Sequence, residues 1–299
     1  MKLCSVCVNT HKRPFLLANL LKSLINQEVS KDIKFEVIVV DNDPEENGRS
    51  VAEKYINRSQ IPIHYLHEPI KNISLARNKA VSEAKGDYIL FIDDDEEASP
   101  KWIQTMVNAL DKFDADAAFG RVVSIFNDEA PEWIKSIYIY HRPCGETGTP
   151  TLNGRTSNAI VKADWLHAEN PPFDPAYGIT GGEDSNLFHR LSLKGATFID
   201  CYEGYVTEFM PPERTQPEWL VNRARRTGIL YSERTVGLAK NKMVTRLYIF
   251  SKATAQYVVS FLMKLASSTN KARRLHWELK MAAYSGHIQA LFCRRMMGY

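Results

Sequence analysis

Asp93-Asp94-Asp95 masses three carboxylates directly after the apolar run 88–92 of this 299-residue chain. Carboxylates repel a phosphorylated ligand, whereas a Mg2+ or Mn2+ ion can bridge one or two of them to phosphate oxygens while keeping several waters. An ion held there also acts as a Lewis acid toward a departing phosphate. At the end of a strand Asp93 and Asp95 share a face; the competing reading is a solvated acidic turn. A second acidic pair, Glu183-Asp184, opens a helical stretch. A carboxylate at that position can take a proton from an attacking hydroxyl. Equally, an acid in a first turn stabilises a helix by about 0.3–1 kcal/mol whatever else it does. Asp41-Asn42-Asp43 stands before Pro44, where Asp41 suits an Asx turn. Arg77 offers a guanidinium able to fork onto anionic oxygens, or else sits on a helix surface.

These residues need elements to hold them. Residues 4–9, 35–40, 63–66 and 88–92 are short, apolar and β-rich. Between them, residues 14–26 carry Leu16, Leu17, Leu20, Leu21, Leu24 and Ile25 at helical spacing, with Pro14 at the helix start. Residues 74–84 form another helix, stopped by Gly86. Strands alternating with helices predict a doubly wound, mostly parallel α/β sheet. Ligands bind such sheets at the carboxyl ends of the strands. Asn9-Thr10, Asp41-Asn42-Asp43 and Asp93-Asp94-Asp95 all fall at such ends. Beyond residue 98 the spacing predicts a helix over 101–113, strands at 117–125 and 157–161, a helix over 183–193 and a strand at 198–200. From about residue 219 the pattern is helical and basic.

The chain resembles the family 2 glycosyltransferases of the GT-A fold, inverting enzymes that use nucleotide sugars. The resemblance covers roughly residues 3–230. Its carriers are Ser5-Val6-Cys7-Val8-Asn9-Thr10 with Arg13-Pro14, Val37-Ile38-Val39-Val40-Asp41-Asn42, Ala76-Arg77-Asn78, Phe91-Ile92-Asp93-Asp94-Asp95 and Gly182-Glu183-Asp184. Stretches 206–214, 219–228 and 286–299 look like the exopolysaccharide glucosyltransferases of the succinoglycan type. The resemblance implies a GT-A, Rossmann-like mixed sheet and a UDP-sugar donor. It makes Asp95 the metal ligand, with Asp93 nearer the ribose and Asp94 and Arg13 in the same donor site. Asp41 would accept the uracil imide N–H, Thr10 would line that pocket, and Arg77 would fork onto the base or the diphosphate. Asp184 would be the general base, with Glu183 orienting it or holding the acceptor. Many GT-A enzymes place a His after the following strand as a third metal ligand. Val206-Thr207-Glu208-Phe209 stands there instead, so either Glu208 meets the metal or diphosphate, or that ligand is absent.

Composition bounds the partners. Hydrophobic residues at 44% and charged residues at 24% exclude disordered and fibrous classes. The net charge of +3 conceals an asymmetry. From residue 219 onward 15 Lys and Arg face two acids, a net +13, which leaves −10 on residues 1–218. The expected organisation is a catalytic domain over 1–230, with a nucleotide half (1–98) and an acceptor half (99–230), followed by a helical basic region over 231–299. In that region Leu247, Phe250, Thr254, Val258, Phe261 and Leu265 form a stripe, with Lys252, Gln256, Ser260 and Lys264 broadly opposite. This reads as a helix lying in an anionic membrane surface, or as one packed on the catalytic domain. A lipid-linked glycan acceptor fits the first reading, and nothing resembles a nucleic-acid motif. No apolar run reaches the length of a span. Cys4 and Cys7 form a CxxC on a strand, hence on opposite faces, and read as buried thiols in a reducing cytoplasm. The expected location is therefore the inner face of the cytoplasmic membrane. Two other functions remain. A sugar nucleotidyltransferase needs a Gly-rich loop after the first strand, where Thr10-His11-Lys12-Arg13-Pro14 has no glycine. A non-catalytic sugar-nucleotide or glycan-binding module would not need Asp184.

Overall fold

Alternation along the first strands divides the interior into two cores. Cys4, Val6, Val8, Val37 and Val39 join one buried cluster, whereas Cys7, Ile38 and Val40 join another. A strand buried on both faces is what a central parallel sheet requires. The computed structural model describes residues 1–152, 154–267 and 269–292, which form two compact units. One unit contains residues 1–124 and 142–209; the other contains 125–141 and the described chain from 210 onward.

The first unit begins β1 (Lys2–Thr10), α1 (Pro14–Ile25), β2 (Ile33–Asp41), α2 (Arg49–Ile56), β3 (Ile63–His67), α3 (Ile73–Glu83) and β4 (Tyr88–Asp93). It continues with β5 (Glu96–Ala98), α4 (Trp102–Phe113) and β6 (Ala117–Phe126). After α5 (Glu132–Lys135), which belongs to the second unit, come β7 (Ala159–Lys162), α6 (Ala163–His167), α7 (Glu183–Leu193) and β8 (Phe198–Met210). The sheet order is β3-β2-β1-β4-β7-β6-β8-β5. Pairing is parallel from β3 to β4, then antiparallel where β7 joins β4 and β6, and where β5 joins β8. The sheet is thus mixed, as the GT-A expectation requires. Leu17, Leu20, Leu21 and Leu24 of α1 and Trp102, Met106 and Leu110 of α4 fill one core. Ala76 and Ala80 of α3 and Leu187, Phe188 and Leu191 of α7 fill the other. Against the strand expected at 198–200, β8 runs on to Met210. Its later residues alternate, with Val206, Glu208 and Met210 buried and Tyr205 and Phe209 exposed.

In the second unit, α8 (Pro217–Leu238), α9 (Lys242–Ala266) and α10 (Lys271–Phe292) follow one another. Leu220 and Ala224 of α8 pack with Leu275, Leu279 and Ala282 of α10. The sequence boundary near residue 230 therefore falls inside a continuous helix already committed to the helical core. The α8–α10 crossing is backbone on backbone. A Cβ on Gly228 would lie 2.0 Å from the Ala283 carbonyl oxygen, and one on Gly286 would lie 2.0 Å from that of Arg225. Helix α9 starts at Asn241, whose side chain accepts the Val244 N–H at 3.1 Å. It buries Ile249, Ala253 and Ser260, and Lys264 pairs with Glu278 of α10 at 3.1 Å. The inward face is thus mixed, with Ser260 and Lys264 beside Ile249 and Ala253. The apolar edge turns outward, with Leu247, Val258, Leu262 and Leu265 all between 51% and 59% exposed. Among the described residues no helix is long and apolar enough to cross a membrane.

Cys4, Cys7 and Cys201 are buried free thiols, and Cys293 lies outside the described residues. Burial pushes Cys4 up to about 12 and Cys201 up to about 11, and it raises Cys7 as well. Iodoacetamide at pH 8 is therefore expected to leave all three unmodified in the native protein and to label them after unfolding, as read by peptide mass mapping. Native labelling of Cys4 or Cys7 would contradict this burial.

Candidate active site

Register brings the strand ends together before any side chain is considered. Asn9 of β1 stands opposite Asp93 of β4, and Thr10 stands opposite Asp41 of β2. Asp41 is fully buried. Its carboxylate accepts the N–H of Asp43 at 3.1 Å and of Gly48 at 2.8 Å, and the Tyr65 hydroxyl at 3.0 Å. The Asx-turn reading of Asp41 is therefore realised, and the carboxylate fixes the turn into α2. Thr10 donates its hydroxyl to Asp94 Oδ2 at 2.8 Å, and Arg13 Nη1 donates to Asp94 Oδ1 at 2.9 Å. Both residues thereby lock the middle acid of the cluster. Arg13 also reaches Asp95 at 3.3 Å. Burial pushes the Asp94 carboxyl up to about 6 despite the Arg13 charge beside it.

Arg77 links the strand-end cluster to α7. Its side chain is 6% exposed, pairs closely with Glu183 Oε1, and reaches Asp93 Oδ1 at 3.4 Å. Burial opposes its charge, but Glu183, Asp93 and Asp184 together raise the guanidinium above its ordinary value. Burial raises the Glu183 and Asp93 carboxyls, with Arg77 pulling each back down. Gly182 precedes the pair at φ +90°, a conformation that favours glycine, and this lets the chain turn sharply into the helix. Asp184 Oδ1 accepts the Ser185 N–H at 2.6 Å. Glu183 Oε2 is buried without a hydrogen-bond partner, so a donor brought by a ligand has somewhere to go.

Three residues not singled out from sequence complete the cluster. Glu96, 1% exposed, accepts the Asp93 N–H at 3.0 Å and lies in register with Glu208 on β8. Arg142 donates to Glu208 Oε2 at 3.3 Å and to Ser157 Oγ at 2.6 Å. Burial and the neighbouring Asp93 charge hold the Glu96 carboxyl well above the ordinary range. Glu96 had a signal in its position, directly after three acids. Arg142 had none, and Ser157 only opened an expected strand; a loop and pairing distant in sequence place them. Glu208 is thus carried to the acidic cluster by β5–β8 pairing.

The donor set suits a hard divalent cation. Asp93 has 40% side-chain exposure and Asp95 has 12%, and both present carboxylate oxygens. Among the described residues no three His, Cys, Asp or Glu side chains assemble into a cage of their own. An ion here would be held by one or two carboxylates and completed by ligand phosphates and waters.

Comparison with known proteins places this geometry. The family model described as glycosyl transferase family 2 matches residues 5–167. The succinoglycan biosynthesis protein ExoM of Rhizobium meliloti is 32% identical over 222 residues, covering 74% of this chain and 71% of its own. Among solved structures, the mannosyltransferase PcManGT from Pyrobaculum calidifontis, in complex with GDP-Man and Mn2+, superposes with a TM-score of 0.67 at 15% identity. That match covers 97% of this chain and 87% of the other. Staphylococcus aureus TarS 1-349 in complex with UDP gives a TM-score of 0.56 at 18% identity, over 97% of this chain and 92% of that one. At such identities these two establish the fold.

Removing Arg77 alone strands the buried Glu183 charge. Arg77→Met is therefore expected to cost about 3–5 kcal/mol of stability in urea unfolding. Adding Glu183→Gln should recover most of that loss. Equal stability of Arg77→Met and wild type would show that the pair carries no structural load.

Proposed function

The chain belongs to glycosyl transferase family 2 and is a glycosyltransferase, and on that premise we propose that it is a metal-dependent inverting enzyme that moves a sugar from a UDP-sugar to a lipid-linked glycan in surface polysaccharide assembly. The observation that carries this reading is the Arg77 bridge, which ties Glu183, and Asp184 beside it, to the acids at the end of β4. A base and a phosphate-binding cluster held on one frame suit a single in-line displacement. Asp184 takes the proton of the acceptor hydroxyl as its oxygen attacks the anomeric carbon. The bond from that carbon to the diphosphate breaks, and the electron pair leaves with the diphosphate. Mg2+ or Mn2+, when bound by Asp95 and Asp93, supplies Lewis-acid neutralisation of the diphosphate. Glu183 Oε2 accepts from an acceptor hydroxyl, and Asp41 with its turn meets the uracil.

Membrane attachment belongs to the same reading. The outward edge of α9 carries Val244, Leu247, Val258, Leu262 and Leu265 without a charge among them, while Lys242, Arg246 and Lys252 are exposed away from it. A helix in the interface plane buries such an edge among acyl chains while cations meet anionic headgroups. The surface is the inner face of the cytoplasmic membrane, where lipid-linked glycans are extended.

Asp184→Asn cannot accept a proton, so turnover should fall about 100-fold or more while donor binding in Mn2+ persists. Asp95→Ala should instead lose donor binding. The anomeric coupling in the product NMR spectrum should report a β linkage from an α-linked donor. An α product, or full turnover by Asp184→Asn, would overturn the mechanism. A sugar-nucleotide binding module would ignore Asp184→Asn altogether.

Because α10 supplies core residues, the membrane surface is best probed by point changes. Leu247→Gln, Val258→Gln and Leu262→Gln together should abolish sedimentation with anionic vesicles and spare UDP binding. Wild-type binding should weaken, but persist, as salt rises, since only the charge contribution is screened. A wild type that ignores anionic vesicles would sink this part of the reading.

A further inference from the structure

Cations near the strand ends are unequally committed. Arg77 is buried between Glu183 and Asp93, and Arg13 is shared by Asp94 and Asp95. Arg142 lies in a loop, its side chain keeps 27% exposure, and its acidic partner is Glu208 on β8 rather than an acid at the end of β4. Its described hydrogen bonds, to Ser157 and Glu208, engage two of the five donors a guanidinium carries. Glu208 is in register with Glu96, and Glu96 accepts the Asp93 N–H, so this cation is tethered one residue pair from the metal-binding acids. Burial opposes its charge, and Glu208, Glu96, Asp93 and Asp95 outweigh that opposition.

We propose that Arg142 is a phosphate-binding residue of the donor site, offering its remaining N–H groups to the diphosphate while Ser157 and Glu208 hold the guanidinium plane. The proposal rests on the nucleotide-sugar reading above. A sugar nucleotide carries one negative charge per phosphate, and a divalent ion balances that pair. Breaking the sugar bond leaves its electrons on the outer phosphate and creates a further charge, which the ion alone does not balance. A partly exposed arginine held by acids at its back meets that charge as it forms. Its planar fork matches two phosphate oxygens, which a lysine does not. The contact is therefore stronger to the leaving diphosphate than to the intact donor, and its loss should lower kcat as well as raise KM.

The test is calorimetric titration of uridine, UDP and UDP-glucose in saturating Mn2+. Arg142→Gln should leave uridine affinity unchanged, weaken UDP by about tenfold or more, and weaken UDP-glucose less. Arg142→Lys should restore part of the UDP affinity. Unchanged UDP affinity in Arg142→Gln would overturn the assignment. So would equal losses for uridine and UDP, because a mere counter-ion for Glu208 would deform the whole site. If the single variant does not fold, Arg142→Gln with Glu208→Gln removes the stranded carboxylate and is read in the same way. A wild type that binds neither UDP nor GDP sinks the donor reading itself; a wild type that binds UDP alongside an unimpaired Arg142→Gln sinks only this residue.

Discussion

One buried guanidinium constrains most of the catalytic unit. Arg77 sits on α3, yet its partners come from β4 and α7, the second of them 106 residues away in sequence. A fully desolvated arginine is tolerable only with paired carboxylates at good geometry. The chain must therefore bring α7 back beside the parallel half of the sheet, and Gly182 at φ +90° makes the sharp entry possible. The same requirement explains an apparent extravagance, since acids that repel one another at the end of β4 are held in place by arginines with little other freedom. Thr10 and Arg13 do for Asp94 what Arg77 does for Asp93. The site is thus a lattice of ion pairs in which every acid at the end of β4 has an arginine partner.

Most of the parallel half of the fold was legible because β2 and β4 are apolar runs ending in polar residues and α1 and α3 carry their own helical signals, whereas α2 was not singled out. Asp41, Asp93 and Asp94 were legible for the same reason, since strand ends announce themselves. Arg77 was noticed, but the sequence does not say whether an arginine on a helix turns inward, and that depends on which carboxylates arrive opposite. Glu208 was read as a residue after a strand. It lies within one, because β8 continues past the two exposed residues Tyr202 and Glu203 and alternates in burial from Gly204 onward. Arg142 had no local pattern at all, and Ser157 only opened an expected strand. Their meaning comes entirely from tertiary pairing.

The second unit inverts the usual expectation for an amphipathic helix. A polar edge ordinarily faces solvent, but α9 places Ser260 and Lys264 toward α10 and leaves leucines and valines outside. In water this arrangement leaves much of the helix's apolar surface wet, which weakens the hydrophobic term that normally holds a surface helix down. What keeps α9 in place is the packing of Ile249 and Ala253, the edge-to-face contact of Phe250 with Phe292 of α10, the Lys264–Glu278 pair and the Asn241 cap. Sequence periodicity locates the stripe correctly and says nothing about its direction, because direction is decided by what α10 offers.

The crossing of α8 and α10 does something a side-chain interface cannot. Leucines packed against alanines can slide past one another and find a second comfortable arrangement a turn away. Two glycines set against carbonyl oxygens cannot, because shifting α10 by a single position would bring Ser285 or His287 to a place with no room for a Cβ. The pair removes the sliding degree of freedom and works as a key cut on both helices. Each glycine is then accountable for the other: changing either one jams the lock, and compensation from the opposite helix is impossible because the obstruction is main chain. Among the described helices of this basic segment, uniqueness comes from two missing side chains.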